Sequence, residues 1–141
     1  IDSYLSHYSG VDRFMKESIE TAKKCGYAVT SCGRRRYLPE LSSSNFNLRS
    51  FGERVARNMP IQGTAADIIK LAMVKVENRL AAEKLDAKLI MQVHDELIVE
   101  ASEDCAEKVA EILKFEMENA AKLSVPMEAS VGIGKTWLLA H

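Results

Sequence analysis

The amino-acid sequence predicts an α+β protein in which an antiparallel β-sheet carries helices on one face. Three observations lead to this prediction. Apolar residues recur at helical spacing in four segments. Two pairs of strand-like segments are separated by turn residues, which is typical of β-hairpins. A further segment near the end of the chain alternates apolar and polar residues, as a strand with one buried face does.

The first predicted helix covers residues 11–24 and is followed by a small β-hairpin. The residue after this helix is Gly26, which suits a left-handed C-terminal cap. Residues 27–30 and 36–38 are strand-like, and Gly33 between them marks a turn. Residues 41–47 are rich in Ser and Asn and predict a loop. The apolar residues that recur at helical spacing in the first helix are Val11, Phe14, Met15, Ile19 and Ala22.

Two helices are predicted in the middle of the chain, with a break between them. The first covers 48–58, and Pro60 disfavours helical geometry at Met59. We expect Thr64 to cap the second helix and Asp67 to lie in its first turn, near the positive end of the helix dipole. The apolar stripe of this second helix consists of Ile68, Ile69, Leu71, Ala72, Val76 and Leu80.

The remaining segments predict a second hairpin, a helix and a strand. The hairpin covers 89–101, and Ser102 is placed to cap the helix that follows it. Pro126 begins the last strand, in which Met127, Ala129, Val131 and Ile133 alternate with polar residues or glycine. The apolar stripe of the helix consists of Ala106, Val109, Ala110, Leu113, Met117 and Ala121.

Composition narrows the class of protein. A chain of 141 residues, 47% hydrophobic and 28% charged, is typical of one soluble domain. It contains no apolar run near the roughly 20 residues of a membrane span and no secretion leader, so we expect a cytoplasmic protein. Three cysteines without a Cys-x-x-Cys pair argue against a disulfide framework or a zinc site. The first residue is Ile1, which suggests an excerpt of a longer chain.

Charge is distributed unevenly along a chain whose net charge is only −1. Residues 34–57 contain six arginines and two glutamates, a local charge of +4. Residues 77–128 contain thirteen acids and six bases, a local charge of −7. The basic stretch therefore predicts a polyanionic partner.

The tetrapeptide Val93-His94-Asp95-Glu96 stands between two apolar runs, at the end of the second predicted hairpin. Adjacent carboxylates repel each other, and the hard cation that suits their oxygens and accompanies phosphate chemistry is Mg²⁺. The alternative interpretation is a solvated turn, since Asp is a common turn residue and His94 can be a turn histidine.

Arg54, Asn58 and Gln62 are spaced by four residues and would share one face of a continuous helix. Such donors suit the acceptors that every Watson–Crick pair shows in the minor groove, purine N3 and pyrimidine O2. The alternative is an ordinary solvated helix face. The run Arg34-Arg35-Arg36 on the first hairpin similarly has two interpretations. It binds a phosphate backbone, or it is a basic surface cluster without a partner.

The sequence contains three longer motifs in a fixed order: Gly33-Arg34-Arg35-Arg36-Tyr37-Leu38-Pro39-Glu40, then Arg54-x-x-x-Asn58-x-Pro60-Ile61-Gln62-Gly63-Thr64-Ala65-Ala66-Asp67, and Gln92-Val93-His94-Asp95-Glu96-Leu97. Together they closely resemble the C-terminal part of the bacterial family A DNA polymerases, and the resemblance covers essentially the whole chain. The ending with Trp137 and Ala140-His141 is similar to the end of the family's chains. The resemblance implies a palm-type antiparallel sheet, with 1–47 on the fingers side and 48–141 in the palm.

The resemblance assigns roles to the matching residues. It implies that Asp95 is a catalytic carboxylate that binds two Mg²⁺ ions, with Glu96 as its acidic neighbour and His94 near the primer terminus. It also implies that Arg54, Asn58 and Gln62 contact the minor groove near the active site. The implied partners are primer–template DNA and deoxynucleoside triphosphates, in the nucleoid region of a bacterial cytoplasm.

The family's other metal-binding aspartate and its nucleotide-binding Lys and Tyr belong to motifs that this sequence does not contain. We therefore expect that the chain alone does not polymerise, because one Asp with a neighbouring Glu offers few ligands for two ions. A sheet without the family's additional strand keeps an open apolar edge, so we also expect dimers, a swapped assembly or poor solubility. A non-catalytic module that binds duplex nucleic acid is the alternative function, and a purely structural protein is the third.

Overall fold

The computed structural model describes residues 7–141 and confirms the α+β class. It contains four helices of 13 residues or more and two antiparallel sheets of two strands each. The chain forms two units, the first ending at Asp67 and the second covering Ile68–His141. The assignment of 1–47 to fingers and 48–141 to palm stays a prediction. Within the described range, no helix is both long and apolar enough to span a bilayer.

The first unit opens with a helix and a small hairpin, as predicted. Helix α1 is Ser9–Cys25, and it ends at Gly26, whose φ of 79° is left-handed and whose N–H donates to the carbonyl of Ala22. Strands β1 (Tyr27–Val29) and β2 (Arg35–Tyr37) pair in antiparallel fashion. A second left-handed glycine, Gly33 at φ 84°, lies in the turn between them.

A short 3₁₀ helix, Pro39–Ser42, leads into helix α2, Phe46–Asn58. The side chain of Asn45 accepts hydrogen bonds from two backbone N–H groups of the first turn of α2, which is an N-terminal cap. The core of the first unit is small, because its buried residues include three alanines and two leucines: Ala22, Ala28, Leu38, Leu41 and Ala56.

The predicted break at Met59 is a wide turn of π-helix, Met59–Gly63, between α2 and helix α3, Thr64–Ala82. Pro60 has no N–H to donate to the helix, and its own carbonyl accepts a bond of 2.5 Å from the Thr64 hydroxyl. The prediction that Thr64 caps α3 is wrong. Thr64 has helical dihedral angles, and its hydroxyl donates backwards to Pro60.

The core of the second unit forms along α3. Ala72, Val76 and Leu80 are buried, as the helical stripe predicted, whereas Leu71 is exposed. Apolar residues at spacings of three and four form a stripe that is wider than the helix surface covered by neighbouring elements. Residues at the edge of the stripe therefore remain exposed to solvent. The other buried residues of this core are Leu97, Val109, Ile112 and Ala120.

The second hairpin forms where it was predicted, from strands β3 (Ala87–Val93) and β4 (Glu96–Ala101). Leu89 pairs with Val99 and Met91 pairs with Ile98, so Ile90 is the extra residue of a β-bulge. Ile90 and Met91 are exposed. The hairpin therefore presents apolar surface, and the expected association through an open edge stays a prediction.

Helix α4 is Ala106–Glu118, and a short helix α5, Trp137–Ala140, lies near the end of the chain. The predicted cap at Ser102 is wrong, because α4 begins four residues later and its N-cap position is Cys105, without a capping side chain. The Ser102 hydroxyl instead lies 3.2 Å from the sulfur of Cys105. The sequence pattern also missed Ile112, which is buried.

The predicted strand at 127–133 is not formed, so the second unit's described sheet has two strands and no third. The backbone of Ala129 bonds to side chains of α4, since its N–H donates to Glu118 at 3.1 Å and its carbonyl accepts from Lys114 at 3.1 Å. The Ala129 N–H donation is the main cause that lowers the pKa of Glu118. Burial still alternates at Met127, Ala129 and Val131.

We predict that Leu80→Ala lowers the free energy of unfolding by about 2–5 kcal/mol, because it removes a buried side chain and leaves a cavity in the core of the second unit. Urea unfolding followed by far-UV circular dichroism measures the change. The control is Leu138→Ala, whose side chain is 86% exposed and whose loss should cost under about 0.5 kcal/mol. Equal losses for the two variants would show that this core is not the one that stabilises the unit.

Candidate functional site

The turn of the second hairpin consists of two residues, His94 and Asp95, and Glu96 is the first residue of β4, opposite Val93. His94 adopts φ 52°, in the left-handed region that residues other than glycine seldom enter. The Gln92 side chain donates to the carbonyl of His94 at 2.5 Å and closes the turn. This turn places two consecutive carboxylates at the end of the hairpin.

The two carboxylates have different surroundings. Asp95 is exposed, whereas the Glu96 side chain is 38% exposed and its Oε1 lies 3.1 Å from Nδ1 of His141. The last residue of the chain is therefore a neighbour of this site. Sequence reasoning missed His141, because no local pattern connects a chain terminus with a distant hairpin.

The oxygens of Asp95 and Glu96 have the hard donor chemistry that Mg²⁺ prefers. Mg²⁺ demands near-octahedral coordination, and these two side chains supply only part of such a set. Among residues 7–141, no group of three or more His, Cys, Asp or Glu side chains is arranged to hold a metal ion. Asp95 and Glu96 are thus suited to supply some, but not all, of the ligands of a magnesium site.

Arg54, Asn58 and Gln62 are all exposed, which is the condition for contacting a partner. Arg54 and Asn58 belong to α2, and Gln62 lies in the π-helical turn. The backbone stays helical from Asn58 to Thr64, so the three side chains follow one helical path. The wide turn shifts Gln62 from the position that an ideal α-helix would give it.

The three consecutive arginines of the first hairpin do not act as one cluster. Nε of Arg34 donates to Oδ1 of Asp67 at 2.6 Å. The guanidinium of Arg35 lies 4.8 Å from the centre of the Tyr27 ring, within the range of a cation–π interaction. Arg36 is exposed and pairs across the hairpin with Ala28.

An ion pair connects α1 with the helix that carries Arg54 and Asn58. Nζ of Lys23 lies 2.9 Å from Oε1 of Glu53. The hydrogen bond from Lys23 is the largest influence on Glu53 and lowers its pKa below the ordinary value of 4.5; partial burial acts in the opposite direction. The pair therefore stabilises the position of α2 when Glu53 is ionised.

Comparison with protein families identifies similarity over nearly the whole chain. The model of DNA polymerase family A matches residues 1–139. The chain is 47% identical over 137 residues to DNA polymerase I of Bacillus caldotenax. It is also 47% identical over 141 residues to DNA polymerase I of Pseudomonas aeruginosa.

The similarity extends to a solved structure. The chain matches the POL domain of Pol1 from M. smegmatis, in complex with DNA primer–template and dNTP, with a TM-score of 0.93 and 44% sequence identity. The match covers 97% of this chain and 24% of that one. The chain spans 16% of the length of the B. caldotenax protein and 15% of the P. aeruginosa protein, and the matches cover 97% and 100% of this chain.

We predict that Lys23→Gln lowers the free energy of unfolding at pH 7 by no more than about 1 kcal/mol, because the ion pair is partly exposed. Glu53 has a lowered pKa in the folded state, so its contribution is present above pH 4.5 and is lost as pH falls through the folded pKa. The difference between variant and wild type should therefore vanish in acid.

Urea unfolding at a series of pH values between 7 and 3 tests this prediction. Lys24→Gln is the matched control, since it removes the same charge from the neighbouring, exposed position. A difference that persists at low pH, or one of equal size for both variants, would contradict a specific contribution of the Lys23–Glu53 pair.

Proposed function

The chain belongs to DNA polymerase family A, and from this membership we propose that it is part of a template-directed DNA polymerase. In this proposal the complete enzyme adds deoxynucleotides to a primer 3′ end by two-metal phosphoryl transfer, in DNA replication and repair. Its partners are primer–template DNA and deoxynucleoside triphosphates. The observation that carries the proposal is the hairpin β3–β4, which presents Asp95 and Glu96 side by side at its end.

The hairpin's role in this proposal is to hold metal ligands still. Asp95 would hold Mg²⁺, and Glu96 would add a second carboxylate, which His141 contacts at 3.1 Å. Mg²⁺ bound there supplies a Lewis acid that lowers the pKa of an attacking hydroxyl and stabilises developing phosphate charge. The remaining ligands come from parts of the complete enzyme outside this chain. His94, at the same turn, lies near the primer terminus.

The first unit contributes DNA binding in this proposal. Arg54, Asn58 and Gln62 donate hydrogen bonds to minor-groove acceptors, which are present in every correctly formed base pair. Such contacts sense the geometry of the pair without reading its identity, as a polymerase that copies any template requires. The three arginines of the first hairpin, Arg34-Arg35-Arg36, contact the phosphate backbone.

We predict that the triple variant Arg54→Ala, Asn58→Ala and Gln62→Ala binds a primer–template duplex at low salt about tenfold or more weakly than the unmodified chain. The reason is the loss of one positive charge and of the groove hydrogen bonds of three side chains, each bond worth about 1 kcal/mol. Fluorescence anisotropy with a labelled duplex measures the dissociation constants.

The control for this experiment is Arg13→Ala, which removes one positive charge from an exposed position on α1. It should weaken binding only through the net charge. If the triple variant binds as well as Arg13→Ala, then the exposed stripe is an ordinary solvated face and its proposed role is wrong.

We predict that the chain alone does not extend a primer in the presence of Mg²⁺ and all four deoxynucleotides, because Asp95 and Glu96 supply too few ligands for two ions. Gel analysis of an end-labelled primer measures extension. Extension that disappears in Asp95→Ala would overturn this expectation and make the chain a complete catalyst. Duplex binding without extension also agrees with the alternative function, a non-catalytic module.

A further inference from the structure

The first unit contains a buried carboxylate that the proposed reaction does not use. Asp67, in the first turn of α3, is 5% exposed. Its Oδ2 accepts a bond of 2.6 Å from the hydroxyl of Thr30, which is 4% exposed, and its Oδ1 accepts a bond of 2.6 Å from Nε of Arg34. A charged group is costly to bury, so its partners must lie in one defined arrangement.

The geometry points to a positioning role for this carboxylate. Asp67 bonds the guanidinium at Nε, the nitrogen next to the aliphatic stem, while the Arg34 side chain as a whole remains 55% exposed. A guanidinium bound at Nε still has N–H groups on its two terminal nitrogens to donate, in the planar arrangement that matches a phosphate group.

The surrounding contacts make this arrangement rigid. The Thr30 hydroxyl donates to Asp67 and also accepts from the backbone N–H of Arg34 at 3.2 Å, so both ends of the arginine are fixed by one pair of side chains. The N–H of Ser31 donates to the Thr64 hydroxyl at 3.0 Å. At Gly63, a Cβ would lie 2.6 Å from the Thr30 methyl group, so a larger residue there would displace Thr30.

We propose that Asp67, with Thr30 as its partner, is the positioning residue that orients Arg34 for one phosphate of the DNA backbone. This inference deepens the proposed function and rests on it. Arg35 and Arg36 make no such bond in the described residues; Arg35 stacks on Tyr27. The three arginines therefore have different roles, and only Arg34 is preorganised by a buried anion.

The decisive variant is Asp67→Asn, which keeps the size of the side chain and an oxygen acceptor but removes the charge. It makes the chain one unit more positive, which by itself strengthens DNA binding. We nevertheless expect anisotropy titrations with a primer–template duplex to show binding that is about three- to tenfold weaker. The reason is that the Arg34 side chain, no longer fixed by Asp67, loses conformational entropy when it binds the phosphate. The slope of log affinity against log salt should fall by about 0.9, the value of one phosphate contact.

Double variants separate positioning from a general loss of structure. In an Arg34→Ala background, Asp67→Asn should change the affinity less than about twofold, because the group that it orients is absent. In the matched Arg35→Ala background, Asp67→Asn should keep its full effect. A loss that persists in the Arg34→Ala background overturns the proposal, as does unchanged or stronger binding by the single variant.

Arg34→Lys provides a test that leaves Asp67 and Thr30 in place. It keeps the charge but has no Nε for Asp67 to hold, so we expect binding that is weaker by about threefold or more. Binding equal to that of the unmodified chain would overturn the proposal, since charge alone would then suffice.

The proposed function and this inference fail in different ways. If Arg54→Ala, Asn58→Ala and Gln62→Ala together weaken duplex binding while Asp67→Asn and Arg34→Lys do not, the inference alone is wrong. If the unmodified chain shows no duplex binding at low salt, the inference is overturned together with the proposed DNA-binding role of the first unit, because Arg34 is then not held in a binding arrangement by this chain.

Discussion

The buried carboxylate of Asp67 is the constraint on which the first unit depends. An anion that is 5% exposed needs hydrogen-bond donors, and Thr30 and Arg34 supply them from the hairpin β1–β2. These hydrogen bonds hold the β1–β2 hairpin against the first turn of α3. Gly63, the residue just before α3, leaves space for the Thr30 methyl group. The hairpin with its arginines and the helical path with Arg54, Asn58 and Gln62 are thereby parts of one unit, so the residues that we propose to contact DNA are held together by the fold itself.

Pro60 shapes the same region by a different physical route. Because proline has no N–H, the α-helical ladder is interrupted, and the chain continues through a wide π-helical turn instead of separating into two unrelated helices. The Thr64 hydroxyl donates to the Pro60 carbonyl and accepts a hydrogen bond from the backbone N–H of Ser31. One side chain therefore satisfies a carbonyl of the interrupted helix and also contacts the neighbouring hairpin. An irregular turn at this position keeps the exposed side chains on one path.

In the second unit, the end of the hairpin β3–β4 is built from a bulge and a two-residue turn. The extra residue Ile90 forms a bulge, a feature that increases local twist, and the left-handed His94 allows a two-residue turn that places Asp95 at the end of the hairpin and Glu96 at the start of β4. Conformational strain of this kind is found where the surrounding structure maintains it for a function. Nδ1 of His141 lies 3.1 Å from Oε1 of Glu96, so residues distant in the chain meet at this end of the hairpin.

The sequence by itself determined the helices, the two hairpins and the location of the acidic turn, because apolar periodicity and turn residues act over a few neighbouring positions. It also identified the family, because three motifs occur in order. Tertiary structure alone decided that 127–133 forms no strand, since a ladder needs a neighbouring strand, and α4 side chains bond Ala129 instead. It alone decided that Arg34, unlike Arg35 and Arg36, bonds a buried anion, and that His141 reaches Glu96. Such contacts join residues far apart in the chain, and no local pattern of residues records which distant groups burial will bring together.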